Sequence, residues 1–202
     1  MAIQRISPEP TKDEVIDFHI DGGKMFEKNW SPIAPIGDDS FLFARLIDPS
    51  FQIVQCKFDG SCSKEAATTT HIPVLKRLAD QFNIQVFHLA TGAIRIDDTH
   101  FGAIFHGKYS NPANSYNMRY YVFPYIFEVT HPWRITSIAT VPLELPVPEG
   151  HPVHEYTIIY ACGLKYVDGR VVISYSVDDS IGGFIVMSVQ DVFSNMEDVV
   201  LQ

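Results

Sequence analysis

The sequence is poor in cationic residues, and this shortage argues against nucleic acid as a partner. Only 15 residues are Lys or Arg, against 24 Asp or Glu, and the formal net charge is −9. A nucleic-acid-binding surface needs clustered Lys and Arg to neutralise phosphates, and the sequence has no basic run. The composition therefore predicts that the protein does not bind nucleic acid.

Long apolar runs are missing as well. None approaches the roughly 18 residues that a membrane span needs, and the opening stretch MAIQRISPEPTKDE is polar where a signal peptide would be apolar. We expect no membrane span and a cytoplasmic location. Residues 1–13 are predicted to be a flexible segment and residues 14–202 a single domain, because a chain of this length suits one core.

Cysteine is scarce, and its spacing does not indicate a metal site. Cys56, Cys62 and Cys162 are an odd number without the spacing of metal ligands. A hairpin disulfide between Cys56 and Cys62 is conceivable, but reduced thiols in a cytosolic protein are the preferred interpretation. His151 and His154 resemble metal ligands but lie in a proline-rich stretch without a fixed helix spacing. We predict no metal and no cofactor.

Helical periodicity is confined to one clear segment. In PVLKRLADQF (73–82) a proline stands in the first turn, and the apolar side chains fall on one face. QDVFSNM (190–196) is predicted to form one more helical turn. Short apolar runs with strand character make up most of the rest: 15–20, 40–47, 51–58, 84–89, 100–107, 119–129, 134–140, 156–167, 170–177 and 183–189.

These strands and the turns between them predict the fold class. Asp168-Gly169 suits a tight hairpin, and the proline-rich residues 141–155 are predicted to form an extended connection. Many short strands with almost no helix indicate an all-β architecture, as a sandwich, a barrel or a propeller. A loose recurrence of strand pairs favours a propeller-like array of antiparallel sheets, with about three blades.

The stretch AIFHGKYSNPANSYNMRYYVFPYIFE (103–128) is the first candidate for a functional site. Its apolar start predicts an inner strand that ends near His106, followed by a polar loop and a second strand from Arg119. Strand ends commonly present ligand-binding groups. Lys108 and Arg119 could bind an anion, and Tyr109 and Tyr116 could contact sugar rings. The alternative is a solvated hairpin tip with the tyrosines in the core.

Two other stretches carry candidate residues. Asp178 and Asp179, in SYSVDDSIGG, could bind sugar hydroxyls or act as acid and base; a plain hairpin turn is the preferred explanation when these residues are taken alone. Lys28, Asn29 and Trp30, in MFEKNWSPI, combine a cation, an amide and a large aromatic ring. That mixture suits contact with a carbohydrate or an anion, and it also suits the edge of a blade.

Residues 92–194 resemble the C-terminal half of the β-mannoside phosphorylase family. The similar segments are GAIRIDDTHFGAIFHGKY, YNMRYYVFPYIFEVTHPWRITSIATVPL and HEYTIIYACGLKYVDGRVVISYSVDDSIGGFIVMS. Members are five-bladed β-propellers and include inverting hydrolases and related mannosyltransferases. EKNWSPI also resembles a motif of propeller proteins linked to sugar transfer.

The resemblance implies roles for individual residues. His106 would help to bind phosphate or a donor phosphate, Tyr116 and Arg119 would line the same pocket, and Asp179 would hydrogen-bond sugar hydroxyls at the central site. The Glu-Asp-Pro-Arg-like motif that carries the family's catalytic acid is not found, and Asp48-Pro49 falls on the wrong side of KNWSP. A shortened relative, a fragment of a larger protein and half of an assembly all remain open.

The expected function is transfer of a sugar from a nucleotide-sugar or sugar-phosphate donor to a glycan acceptor by single displacement. His106, Lys108, Arg119 and Lys28 would bind the donor phosphate. Asp179 and Asp178 would be catalytic, and Asn29, Trp30, Tyr109 and Tyr116 would bind sugar. A glycoside phosphorylase or hydrolase is the first alternative, and a glycan-binding propeller fragment is the second. A second copy or a partner chain could complete the propeller.

Overall fold

The computed structural model describes residues 2–5, 14–17, 29–70, 72–111 and 113–199. Within these residues the fold is all-β with two short helices, as the sequence predicts. In chain order the elements are β1 (Ala2–Arg5), β2 (Glu14–Asp17), β3 (Ser31–Ile36), β4 (Ser40–Leu46), β5 (Phe51–Lys57), β6 (Cys62–Thr69), α1 (Pro73–Phe82), β7 (Val86–Leu89), β8 (Ile94–Arg95), β9 (His100–Asn111), β10 (Asn114–Glu128), β11 (Ile135–Ala139), β12 (Ile159–Val167), β13 (Arg170–Val177), β14 (Ile181–Ser188), α2 (Val189–Val192) and β15 (Met196–Asp198).

The strands form antiparallel sheets that follow one another along the chain. β1 and β2 make a two-stranded sheet, and β3 to β6 make a four-stranded sheet in sequence order. The central sheet has the order β15-β11-β10-β9-β7, with β8 also paired to β9, and β12 to β14 make a three-stranded sheet. These sheets agree with the expected propeller-like array, although the described residues show no closed ring of blades.

The core lies on both faces of the central sheet. Successive side chains of a strand point to opposite faces, so Phe105 of β9 packs in the core shared with the four-stranded sheet and α1. Its neighbour Ile104 packs with Val171 and Ile173 of the three-stranded sheet. The structure thus confirms that 103–105 belong to an inner strand that is buried on both faces.

The helix at residues 73–82 is confirmed. Pro73 occupies the start of α1, and Val74, Leu75 and Leu78 are buried against the core. Asn83 ends the helix in the left-handed conformation, with φ 53°. The second predicted helical turn is confirmed in part, because α2 covers only the first residues of that segment and Met196 joins β15 instead.

The prediction of a polar loop between His106 and Arg119 is wrong. β9 continues to Asn111 and β10 starts at Asn114, and Tyr109 pairs with Arg119 across the ladder. The prediction failed because the strand continues beyond residue 107, past the buried core, where its residues become half-exposed. Polar side chains there mark exposure and not an irregular backbone.

The expectation of reduced thiols is also wrong for one pair. Cys56 of β5 and Cys62 of β6 face each other in the ladder and form a disulfide, and Cys162 is free and exposed. Disulfides are rare in cytosolic proteins, and the cytoplasmic location stays a prediction. None of the helices in the described residues is long and apolar enough to cross a membrane.

The expected division of the chain at residue 14 stays a prediction. Ala2–Arg5 of the segment expected to be flexible form β1, which pairs with β2. Residues 6–13 lie outside the described residues.

Candidate functional site

A cavity of about 300 Å³ lies between the central and three-stranded sheets. We call it the His106 cavity. It brings together four residues that the sequence nominated from three separate stretches: Asn29, His106, Lys108 and Asp179. The other lining residues are His88, Met118, Tyr120, Ile158 and Tyr160.

Strand register places the cationic side of the His106 cavity. His106 and Lys108 are two residues apart on β9 and therefore share one face of the central sheet. His88 of β7 stands directly opposite His106, and Tyr120 of β10 stands opposite Lys108. The next residue, Gly107, points to the other face, where Ile84 leaves no room for a Cβ. Gly107 thus lets the Ile84 side chain approach the backbone of β9, and no turn occurs there.

Aromatic rings surround the His106 imidazole, which is buried with 2% exposure. Tyr120 and Tyr160 each pack against it with 4.8 Å between ring centroids, and the His88 ring lies 5.6 Å away. Burial and the nearby negative charge of Asp179 raise the pKa of the Tyr120 phenol. Burial chiefly raises the pKa of Tyr160 as well. Both phenols therefore keep their protons at neutral pH and are available as hydrogen-bond donors.

Asp179 supplies the carboxylate of the cavity. It lies in the β13–β14 turn, where Asp178 and Asp179 both have positive φ, at 50° and 51°. Asp tolerates this conformation better than most residues. The turn exposes Asp179 beside the cavity. Asp179 is therefore both a residue of a hairpin turn and a lining residue of the cavity.

Asp178 makes structural contacts and does not line the His106 cavity. Its Oδ1 accepts a hydrogen bond from the Ile158 amide at 2.6 Å, and its Oδ2 lies 3.0 Å from His151 Nε2 and 3.8 Å from His154 Nε2. Burial raises the pKa of this carboxyl, but the bonds from His151 and Ile158 and the histidine charges outweigh burial and hold the pKa below its usual range. Asp178 thus fixes the connection between β11 and β12.

This histidine pair does not indicate a metal site. His154 Nδ1 accepts a hydrogen bond from the Tyr156 amide at 3.3 Å. In the described part of the chain, no group of three or more His, Cys, Asp or Glu could hold a metal ion.

Arg119 and Tyr109 lie on the opposite face of the central sheet from His106. Arg119 is paired with Tyr109, one step along the ladder from the pair of Lys108 and Tyr120, so the pleat turns it away. The guanidinium stands 5.0 Å over the Tyr121 ring instead. The expectation that Arg119 shares a pocket with His106 is therefore wrong.

Trp30 is a further nominated residue that does not line the His106 cavity. Trp30 packs beside Phe43, with 6.2 Å between ring centroids, in a small apolar cluster on the four-stranded sheet. Lys28 lies outside the described residues, as does the side chain of Tyr116.

His88 and Tyr160 are among the cavity residues that sequence reasoning missed. Both lie on predicted strands, but their position depends on which strands pair and in what register. Tyr120, on the predicted strand 119–129, was not singled out either. Alternation from His106 gives only the face of its own strand, so a single sequence held no signal for the partners across the ladder.

Comparison with known proteins adds information on the fold. The chain matches no family model and no curated protein. It resembles a candidate glycosidase from Bacteroides thetaiotaomicron (TM-score 0.63, 14% identity, 91% of this chain and 58% of that one). It also resembles a glycosyl hydrolase from Bacteroides ovatus (TM-score 0.58, 10% identity, 87% of this chain and 52% of that one).

A third similar structure comes from the GH130 family of mannoside phosphorylases, which contains glycoside hydrolases that target β-1,2 mannosidic linkages in Candida mannan. The TM-score is 0.58 at 11% identity, over 82% of this chain and 50% of that one. At such identities the likeness shows a shared fold and no more. The chain spans little more than half the length of these structures.

Proposed function

We propose that this chain is a carbohydrate-active protein of the glycoside hydrolase and phosphorylase type, and that the His106 cavity binds a sugar beside a phosphate. The observation that carries the proposal is the lining of this cavity, in a fold shared with such enzymes. A lysine and a carboxylate meet there with an amide, two imidazoles and two phenols.

Each group suits one part of a sugar phosphate. Lys108 is the one Lys or Arg among the described lining residues, and an ammonium group binds phosphate as a point charge. Asp179 accepts hydrogen bonds from sugar hydroxyls, and Asn29 both donates and accepts them. The phenols of Tyr120 and Tyr160 donate hydrogen bonds and offer ring surface to the sugar.

The cavity favours phosphorolysis over hydrolysis. Glycoside hydrolysis usually needs two carboxyl groups, of which one activates water or attacks the sugar. Asp179 is the one carboxylate among the described lining residues. A monohydrogen phosphate held by Lys108 would attack the anomeric carbon as the glycosidic C–O bond breaks, and the proton of the phosphate would pass to the leaving sugar oxygen, so that a second carboxylate is not required. We assign no catalytic role to Asp178, whose oxygens already bind His151 and the Ile158 amide.

Glycosyl transfer from a nucleotide sugar has less support. The similar structures named above are described as hydrolases or phosphorylases. A second candidate function is a sugar-binding domain without activity. It is favoured by the single carboxylate among the described lining residues of the cavity.

Isothermal titration with mannose, inorganic phosphate and mannose 1-phosphate tests the proposal. Lys108→Ala should weaken phosphate binding by about tenfold, the loss of one hydrogen bond to a charged group, and Asp179→Asn should mainly weaken mannose binding. Lys165→Ala and Asp168→Asn are matched controls, since Lys165 is an exposed strand lysine and Asp168 is an exposed turn aspartate with positive φ. Absence of binding by all three ligands to the wild-type protein would refute the proposal.

An activity assay separates the two candidate functions. A β-1,2-linked mannose disaccharide is incubated with the protein and phosphate, and the products are separated. Formation of mannose 1-phosphate that depends on Lys108 would establish phosphorolysis. Binding without any product would leave the sugar-binding domain as the function.

A further inference from the structure

A second concave region lies on the far side of Tyr120 from the His106 cavity. It consists of two cavities of about 510 Å³ and 320 Å³ that share Phe82, Arg119, Tyr121 and Glu155 among their lining residues. We call it the Arg119 groove. Tyr120 lines both the His106 cavity and the larger cavity of the groove, so the two regions meet at this side chain.

The groove exists because one edge of β10 is only partly paired. β11 pairs with β10 at residues 125–127. The preceding residues on the same edge of β10 lie beside the proline-rich connection (141–155) instead. The Leu143 amide of that connection donates to the Val122 carbonyl at 2.7 Å. Since backbone groups two residues apart on a strand point the same way, the N–H and C=O of Tyr120 face the groove as well.

Aromatic and apolar surface lines the groove. The Phe82 and Tyr121 rings lie 4.9 Å apart between centroids, and Arg119 covers the Tyr121 ring. Val141 and Val153 line the larger cavity and are 53% and 71% exposed. Apolar walls with a few polar groups are typical of ligand sites, and aromatic rings offer flat surface to a sugar ring.

The charges of the groove disfavour a phosphate and favour a neutral ligand. Arg119 is its one Lys or Arg among the described lining residues, whereas Glu144 lines the larger cavity and Glu155 lines both. Two carboxylates against one guanidinium would repel an anion. A guanidinium donor beside carboxylate acceptors instead matches hydroxyl groups, which both donate and accept hydrogen bonds.

We propose that the Arg119 groove binds a neutral saccharide chain, namely the sugar units beyond the one held in the His106 cavity. This inference rests on the proposed function, because the terminal unit of the saccharide is the sugar proposed to bind in the His106 cavity. Arg119 and Glu155 hydrogen-bond the hydroxyls, and the apolar walls of the groove pack against the sugar rings. Arg119 is thus assigned to a chain-binding site and not to a phosphate site.

Titration with a short and a long ligand tests the groove. Methyl β-mannoside and a β-1,2-linked mannose tetrasaccharide are each titrated into the wild-type protein, Arg119→Ala, Glu155→Gln and Asp179→Asn. We expect Arg119→Ala to weaken tetrasaccharide binding by about tenfold, the loss of one hydrogen bond to a charged group. Methyl β-mannoside binding should change by less than twofold. Arg170→Ala, an exposed arginine on β13, is the matched control, and melting temperatures confirm that each variant folds.

The outcomes distinguish the groove from the proposed function. Asp179→Asn should weaken both ligands, since both place a sugar in the His106 cavity. If the tetrasaccharide binds no more tightly than methyl β-mannoside, or if Arg119→Ala weakens both ligands equally, the groove is refuted while the His106 cavity stands. If neither ligand binds the wild-type protein, both proposals are refuted.

Discussion

The imidazole ring of His106 packs against the phenol ring of Tyr160, with 4.8 Å between the ring centroids and 61° between the ring planes. His106 belongs to β9 of the central sheet and Tyr160 to β12 of the three-stranded sheet. The contact therefore joins the two sheets at the wall of the His106 cavity. The same pair contributes both to stability and to the shape of the site.

Substitutions at Tyr160 separate these two contributions. Tyr160→Ala removes the ring and should lower the free energy of unfolding by about 2 kcal/mol, from lost burial and the edge-to-face contact. Tyr160→Phe keeps the ring and should leave that free energy nearly unchanged, while it weakens sugar binding through loss of the hydroxyl. Urea unfolding and titration with mannose measure the two effects. Equal stability of the two variants would contradict the packing role.

Asp178 should make stability depend on pH. Its carboxyl pKa lies below the usual value of 3.8 in the folded protein, so the unfolded chain takes up a proton first as pH falls. The stabilisation is then complete above about pH 5 and is lost as pH falls through the lowered folded pKa. Asp178→Asn should be less stable than the wild type by about 1 kcal/mol at pH 6, and the difference should shrink towards pH 3.

Urea unfolding at both pH values measures this effect. Asp168→Asn, in the neighbouring β12–β13 turn with φ 48°, controls for loss of a turn carboxylate. A difference between wild type and Asp178→Asn that is the same at pH 6 and pH 3 would refute the electrostatic role of the contact with His151.

Gly107 should tolerate no side chain. A Cβ at this position would lie 2.5 Å from Ile84 Cδ1 and 3.0 Å from Phe87 Cε1. We expect Gly107→Ala to cost about 1–3 kcal/mol of unfolding free energy, as overpacking does in a closed core. Gly182→Ala is the control, because a Cβ there would meet its nearest atom, the Tyr175 carbonyl oxygen, at 4.0 Å. Thermal melting measures both, and equal melting temperatures would contradict the close approach.

The disulfide between Cys56 and Cys62 should add measurable stability. The two cysteines are six residues apart, and the entropy of closing so short a loop corresponds to about 2 kcal/mol. The variant Cys56→Ser/Cys62→Ser should therefore melt several degrees lower than the oxidised protein. A thiol titration of the unfolded, unreduced chain should find only Cys162. Detection of three thiols would show that the pair is reduced.

Local sequence patterns predicted much of the fold. The proline and apolar face of 73–82 fixed α1 at its observed bounds, and Asp168-Gly169 formed the expected hairpin, with positive φ at both residues. β3 was missed because its sequence, SPIAPI, contains two prolines, which a central strand rarely accepts. β3 is an edge strand of its sheet, and this position was not apparent from the sequence.

The sequence by itself determined the all-β class, the inner strand at 103–105 and the residue types that we propose for a sugar or phosphate site. Tertiary structure alone decided which of those residues meet. Alternation along β9 and β10 sends His106 and Lys108 to one face and Arg119 to the other, and sheet packing adds Asp179 from the β13–β14 turn and Tyr160 from β12. The physical reason is that composition and periodicity act over a few residues. Strand register and sheet stacking depend instead on the packing of the whole chain.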